Sequence, residues 1–437
     1  MTRTRRLGAA LTAAALAAVA AGCGGDVPNP GSAPANLAGQ TVEVAASWSG
    51  IEQANFKAVL DEFAKKTGAT VKYTSGGNEL ATLINSRLAG GSPPDIALIP
   101  QPGVVAELVG KGALKELTGD AAAAIKEHYS DAWRELGVID GKLYGMYFKV
   151  ANKSVVWYRT DKFQEAGVQA PKTWEEFASV TKTLADAGTS PMAVPGADGW
   201  TLTDWFENIY LRVGGAEKYD KLAKHELPWT DPTVVQTLQI LGDYWRTPRA
   251  VQGGSSGALQ LSFTQSVADV FGDKPKSAML FEGDFVAAEI IKLGKTKVGE
   301  GAKFFDWPSI NGSPPAVVTA GDQAVAFSDS KAATALMEFL ASPEAAGIMA
   351  GKGGFLSANK SVSVSLYPDE TMQQLATSVV KADLLRFDLS DLTPQAFGGS
   401  TGAHMWKLLQ DYLSDPTDPA GMAKKLEAAA TKDFGSK

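Results

Sequence analysis

Residues 79–100 read "ELATLINSRLAGGSPPDIALIP", and this stretch decides the fold. Leu80, Leu83, Ile84 and Leu88 share one face of a predicted helix, and "GGSPP" ends it. "DIALIP" (95–100) is short and continuously apolar, as suits a strand covered on both faces, with Asp95 fixing the turn into it. Upstream, "TVEVAAS" (41–47) alternates Val42 and Val44 with polar neighbours, and "TVKYTS" (70–75) is a second strand. Between them Ser49 and Glu52 have capping-box spacing. Phe56, Val59, Leu60 and Phe63 then form the apolar face of a helix that stops at "KKTG". Strands alternating with helices in this way predict an α/β fold with a parallel sheet flanked by helices.

The pattern returns after residue 150. In "KTWEEF" Thr173 caps a helix and Glu176 completes its box. Phe177, Val180 and Leu184 extend the apolar face, and Ser342-Pro343 opens a later helix. The middle reads as loop-rich around "GADGWTLTDWF" (196–206), "QGGSSG" (252–257) and "INGSPP" (310–315). The chain has 437 residues, 45% hydrophobic and 20% charged, enough apolar material for a sizeable core. Its net charge is −7, and beyond Arg3, Arg5 and Arg6 of the first 22 residues it is −10. An acidic body lacks the basic face that nucleic acid requires, so no nucleic-acid partner is expected.

The start reads as an export signal: three arginines, then an apolar run from Leu7 to Ala21, too short to span a bilayer. Ala20-Ala21-Gly22 precedes Cys23, the only cysteine in the chain. This resembles the lipobox of bacterial lipoproteins, although Ala20 stands where a large aliphatic residue is usual. It implies that Cys23 carries the lipid anchor after residues 1–22 are removed. A plain cleaved signal with an incidental cysteine is the alternative. Residues 23–40, rich in Gly, Pro, Ser and Ala, are expected to form anchor and tether. The protein would then sit on the outer face of the cell membrane.

The stretch 79–100 also resembles the first lobe of ABC-transporter extracellular solute-binding proteins, in the carbohydrate-binding group that includes maltose-binding protein. "EFAKKTGATV" (62–71), "GKLYGMYFKVANKSVVWYRTD" (141–161), "PKTWEEF" (171–177), "FEGDFV" (281–286) and "SPEAAGIMAGKGGFLSANK" (342–360) match in the same order. "GADGWTLTDWF" and "EGDF" look closest to α-glucoside binders of that group. The resemblance implies two α/β lobes, each a mainly parallel sheet with flanking helices, joined by crossing strands. Crossings are expected near Val150–Asn152, near Trp307–Val317 and after "GFLSANK". Lobe 1 would comprise 41–150 and 316–355; lobe 2 would comprise 151–315 and 356–437. It further implies a sugar bound between the lobes, a membrane permease as partner, a monomer, no cofactor and no catalysis.

The sugar-binding candidates follow from that resemblance and from chemistry. Flat rings cover the C–H faces of a sugar, and polar side chains take its hydroxyls. Trp200 and Phe285 match ring-stacking positions of the maltose binder, and Trp48 ends the first strand, where open α/β sheets bind ligands. Trp205 and Trp307 are further ring candidates. Ser49, Glu52, Gln101, Lys149, Asp198, Asp284 and Asp322 are the polar ones; Lys149 stands where the maltose binder has an acid. Trp133, Trp157, Trp174, Trp245 and Trp406 read as core. His128, His225 and His404 lie too far apart in sequence to suggest a metal site. "SANK" (357–360) and "SDSK" (328–331) match S-x-x-K, but the remaining motifs of that hydrolase pattern are missing. A surface glycoside hydrolase, which would need two facing carboxyls, and a binder of a polyol phosphate or peptide are the alternatives.

Overall fold

The computed structural model describes residues 36–381 and 384–435. The expected signal, Cys23 and most of the tether lie outside the described residues. The body begins earlier than the sequence suggested. Leu37 is buried, and its N–H donates to the Thr67 carbonyl at 2.8 Å, so 36–40 packs as structure.

The strands are β1 (Thr41–Ala46), β2 (Thr70–Ser75), β3 (Ile96–Ile99), β4 (Val138–Ile139), β5 (Lys142–Leu143), β6 (Gly145–Asn152), β7 (Val155–Arg159), β8 (Ser190–Ala193), β9 (Ser277–Phe281), β10 (Ala302–Asp306), β11 (Val317–Ala326) and β12 (Leu385–Phe387). One sheet has the order β12-β11-β3-β1-β2, with β6 also on β11. A second has the order β10-β7-β9-β8, and β4 and β5 form a small hairpin.

The first sheet grows out of local pattern. Val42 and Val44 of β1 are buried, and β1 pairs in parallel with β2 and β3. Every residue of β3 is buried, as its unbroken apolar run requires. Asp95 ties β3 to β1: its carboxylate accepts the Glu43 N–H at 2.8 Å. The Gly50–Thr67 helix buries Phe56, Val59, Leu60 and Phe63 and stops at Gly68, whose φ of +77° suits glycine. The expected capping box at its start does not form. Ser49 makes no side-chain cap, and Glu52 pairs with Lys149 instead. Thr173 and Ser342 do cap their helices, at 3.2 and 3.3 Å.

Two lobes are present; the first sheet has three parallel pairings of five, whereas the second is mainly antiparallel. The strands that connect the lobes run in opposite directions, so β6–β11 and β7–β10 must pair antiparallel. Only β8–β9 is parallel in the second sheet. Lys153 and Ser154 alone separate β6 from β7. Ser154 Oγ accepts the Val318 N–H at 2.8 Å, and Lys153 N–H donates to the Val318 carbonyl at 2.9 Å, which locks the two connections side by side. The third return comes later than "GFLSANK". Leu356 O accepts the Val150 N–H, and β12 still pairs with β11, so the chain leaves the first sheet only after Phe387.

Candidate ligand-binding cleft

A cavity of about 370 Å³ lies between the lobes, at the ends of β1, β3, β6 and β11. A bulge helps to build it. Asp322 pairs with Lys149 and Gln323 with Tyr147, leaving Phe148 as the extra residue. Such a bulge re-aims neighbouring side chains, and both Lys149 and Asp322 line the cavity.

Of the twelve expected residues, nine line this one cavity: Trp48, Ser49, Glu52, Gln101, Lys149, Asp198, Trp200, Phe285 and Asp322. Three do not. Trp205 is fully buried and packs against Tyr244, Phe281 and Trp307. Trp307 is 4% exposed and lies at 4.2 Å, centroid to centroid, from Phe281. Both rings belong to the core of the second lobe; for Trp205 the reason is that "TDWF" is helix and not loop. Trp200 is the first residue of a helix, Trp200–Ala223, whose buried face includes Leu202, Trp205, Phe206 and Ile209. Asp284 is also buried, away from the cavity. Its Oδ1 accepts the Asn152 N–H at 2.6 Å, which fixes the "EGDF" turn to the lobe connection, and burial pushes its carboxyl up to about 7.

Several lining residues escaped the sequence reading, among them Asn78, Lys153, Phe263, Ser390, Asp391 and Trp406. Trp406 looked like core because it shares a helix face with Leu409 and Leu413, and it is indeed 4% exposed, yet its ring edge reaches the cavity. Gly199 makes that approach possible. Its φ is +76°, and a Cβ there would stand 3.0 Å from the Trp406 Cβ. Phe263, Trp200 and Phe285 form an aromatic corner, with centroids 5.5–6.1 Å apart. Asp198 braces it, accepting the Phe263 N–H at 2.6 Å and the Asn78 amide at 3.2 Å from the opposite lobe.

The charges are arranged in two groups. Lys149 pairs with Glu52 and lies 5.6 Å from the Trp48 ring and 5.2 Å from the Phe285 ring. Burial acts to lower its pKa, but Glu52 and Asp322 together hold it above the usual lysine value. Lys153 reaches under Trp200, 5.1 Å from the ring, to Asp204 at 3.0 Å and Asp388 at 2.6 Å. Around it lie Glu207, Glu282 and Asp391, all pushed well above the ordinary carboxyl range by burial first and neighbouring carboxylates second. Asp388 remains ionised despite burial, since Lys153, Ser390 Oγ at 2.8 Å and the Asp391 N–H at 3.1 Å all donate to it. Asp204, with one oxygen left unpartnered, is pushed up to about 8. Asp204, Glu207 and Asp388 converge closely enough to hold a cation. That position is occupied by the Lys153 ammonium. The Glu207 oxygens are taken by the Leu389 and Ser390 N–H groups at 2.6 and 2.9 Å.

Fold and cleft together define a two-lobed binding protein. The family description "bacterial extracellular solute-binding protein" matches residues 47–347. The chain is 34% identical over 394 residues to the α-glucosides-binding periplasmic protein AglE of Rhizobium meliloti, covering 86% of this chain and 84% of that one. It is 33% identical over 373 residues to the osmoprotective compounds-binding protein GgtB of Synechocystis sp., covering 83% and 86%. Among solved structures, the solute receptor AcbH superposes with a TM-score of 0.78 at 22% identity, covering 91% of this chain and all of that one. The GacH receptor of Streptomyces glaucescens superposes with a TM-score of 0.73 at 18% identity, covering 91% and 99%.

The chain belongs to the bacterial extracellular solute-binding proteins. Such receptors bind and deliver; they are not enzymes. Among the described residues no helix is long and apolar enough to cross a membrane.

Proposed function

We propose that this protein captures an α-glucoside or another oligosaccharide in the cleft by lobe closure, and hands it to a membrane permease while tethered through a lipid on Cys23. The observation that carries the ligand reading is the cleft itself. Trp48, Trp200, Phe263 and Phe285 offer aromatic surface, and Ser49, Gln101, Asn78, Ser390, Asp322 and Asp391 offer hydrogen-bonding groups in the same cavity. The similarity to AglE supports a glucoside. A polyol phosphate is disfavoured. The lining carries four carboxyls, Glu52, Asp198, Asp322 and Asp391, against two lysines, and both lysines are already paired. As lobes we propose 36–152 with 317–387, and 155–306 with 389–435, hinged at Lys153–Ser154, 307–316 and Asp388. A thermal-shift panel of maltose, trehalose, sucrose, raffinose and glycerol phosphate tests the ligand. A true ligand at a hundredfold excess over Kd adds about 2.7 kcal/mol of apparent stability. Stabilisation by the phosphate alone would contradict the reading.

A further inference from the structure

Asp391 is the one cleft carboxyl to which no side-chain or backbone donor is hydrogen-bonded among the described residues, although it is only 7% exposed. Asp322, also 7% exposed, has the Ser47 hydroxyl at 3.5 Å and the Trp48 side chain as hydrogen-bonding neighbours, and no cation is hydrogen-bonded to it among the described residues. Glu52 has Lys149, and Asp198 has Asn78 and the Phe263 N–H. Neither cleft lysine is free to serve Asp391. Lys149 is held by Glu52 between two rings, and Lys153 is held by Asp204 and Asp388. Asp391 therefore lines the cavity with no donor on its carboxyl, and the charged groups that act on it are Asp388, Lys153, Asp204 and Asp322. The cavity rings add to this field, since aromatic faces attract cations and Trp48, Phe285 and Trp200 already lie close to ammonium groups.

We propose that the cleft contains a subsite for a cationic group at Asp391 and Asp322, so that a glycoside bearing a protonated amine binds more tightly than its neutral parent. This rests on the carbohydrate reading above and narrows it. A hydroxyl gives a neutral hydrogen bond to such a carboxyl, whereas an ammonium gives a charge-assisted one and supplies the missing counter-charge. Burial raises the Asp391 carboxyl well above its ordinary range, and a nearby cation favours its ionised form. An arriving ammonium lets the carboxyl ionise, so its proton passes to solvent and the bound pair is ammonium and carboxylate.

The test is calorimetric titration of the exported, mature protein with maltose, trehalose and their 2-amino-2-deoxy and 6-amino-6-deoxy analogues. Each is run near neutral pH in two buffers of different ionisation enthalpy. At least one amino analogue is expected to bind about tenfold or more tightly than its parent, in line with the stronger net worth of charged hydrogen bonds. Its binding should also release up to about one proton, seen as a buffer-dependent enthalpy absent for the parent. Asp391→Asn should abolish both the preference and the release; Asp322→Asn, made separately, should reduce the preference. If parents bind and no amino analogue binds more tightly, the cationic subsite is overturned and the carbohydrate reading stands. A preference that survives both substitutions also overturns it. If neither parents nor analogues bind, both readings fall.

Discussion

Trp200 and Trp205 stand five residues apart on one helix and do opposite work. Trp200 is half-buried at the helix start and faces the cavity. Trp200→Ala is expected to weaken sugar binding by about 2–4 kcal/mol, the scale of an anchoring aromatic in a desolvated pocket, or about 30- to 800-fold in Kd. Its urea midpoint should stay near that of the parent. Trp205→Ala should cost about 3–5 kcal/mol of stability, because it leaves a cavity among Tyr244, Phe281 and Trp307. Titration calorimetry and urea melts on both variants decide the matter; exchanged phenotypes would reverse the assignment. The sequence held the signal that separates them. Leu202, Trp205, Phe206 and Ile209 have helical spacing, and Trp200 lies outside it. Lys153 and Asp391 had no such signal. Their meaning comes from partners 51 and 235 residues away in the chain for Lys153, and for Asp391 from a carboxyl with no hydrogen-bond donor among the described residues.

The helix Trp200–Ala223 and the short turn Leu389–Leu392 form the acidic floor of the cleft, and the floor has a pH signature. Burial pushes Asp204 from 3.8 to about 8, Asp284 to about 7 and Asp322 to about 6. The folded chain thus holds protons that the unfolded chain releases above about pH 4, so stability falls as pH rises from there toward about 8. Lys153 does not offset this: its folded value is raised, so its contribution is intact throughout that window and is lost only in strong alkali. Thermal melts of the ligand-free protein should show a lower Tm near pH 8 than near pH 5.5, and Asp204→Asn should flatten the slope. A Tm that rises across this window would contradict the arrangement. At this scale the sequence was most readable in the first sheet, where β1, β2, β3 and their helices follow from periods of two and 3.6 residues. It was least readable where direction matters. Local periodicity is the same for parallel and antiparallel strands, so the mixed pairing of β6, β7, β10 and β11 could come only from the tertiary path.

For the whole molecule, two properties remain to be tested in solution. The Cys23 anchor predicts that Cys23→Ala moves the protein from the membrane fraction to the medium, with sugar binding by the purified body retained. A variant that stays with the membrane contradicts the anchor. The second property is closure. The lobes are joined by connections as short as Lys153–Ser154 and already touch across the cleft through Asn78 and Asp198. A sugar that contacts both lobes favours the closed arrangement by its differential affinity for it. The most direct measurement is small-angle scattering of the mature protein, free and saturated with the tightest sugar of the panel. The account predicts a smaller radius of gyration with sugar, and no such change for Trp200→Ala at the same sugar concentration. A radius unchanged at proven saturation would contradict capture by closure.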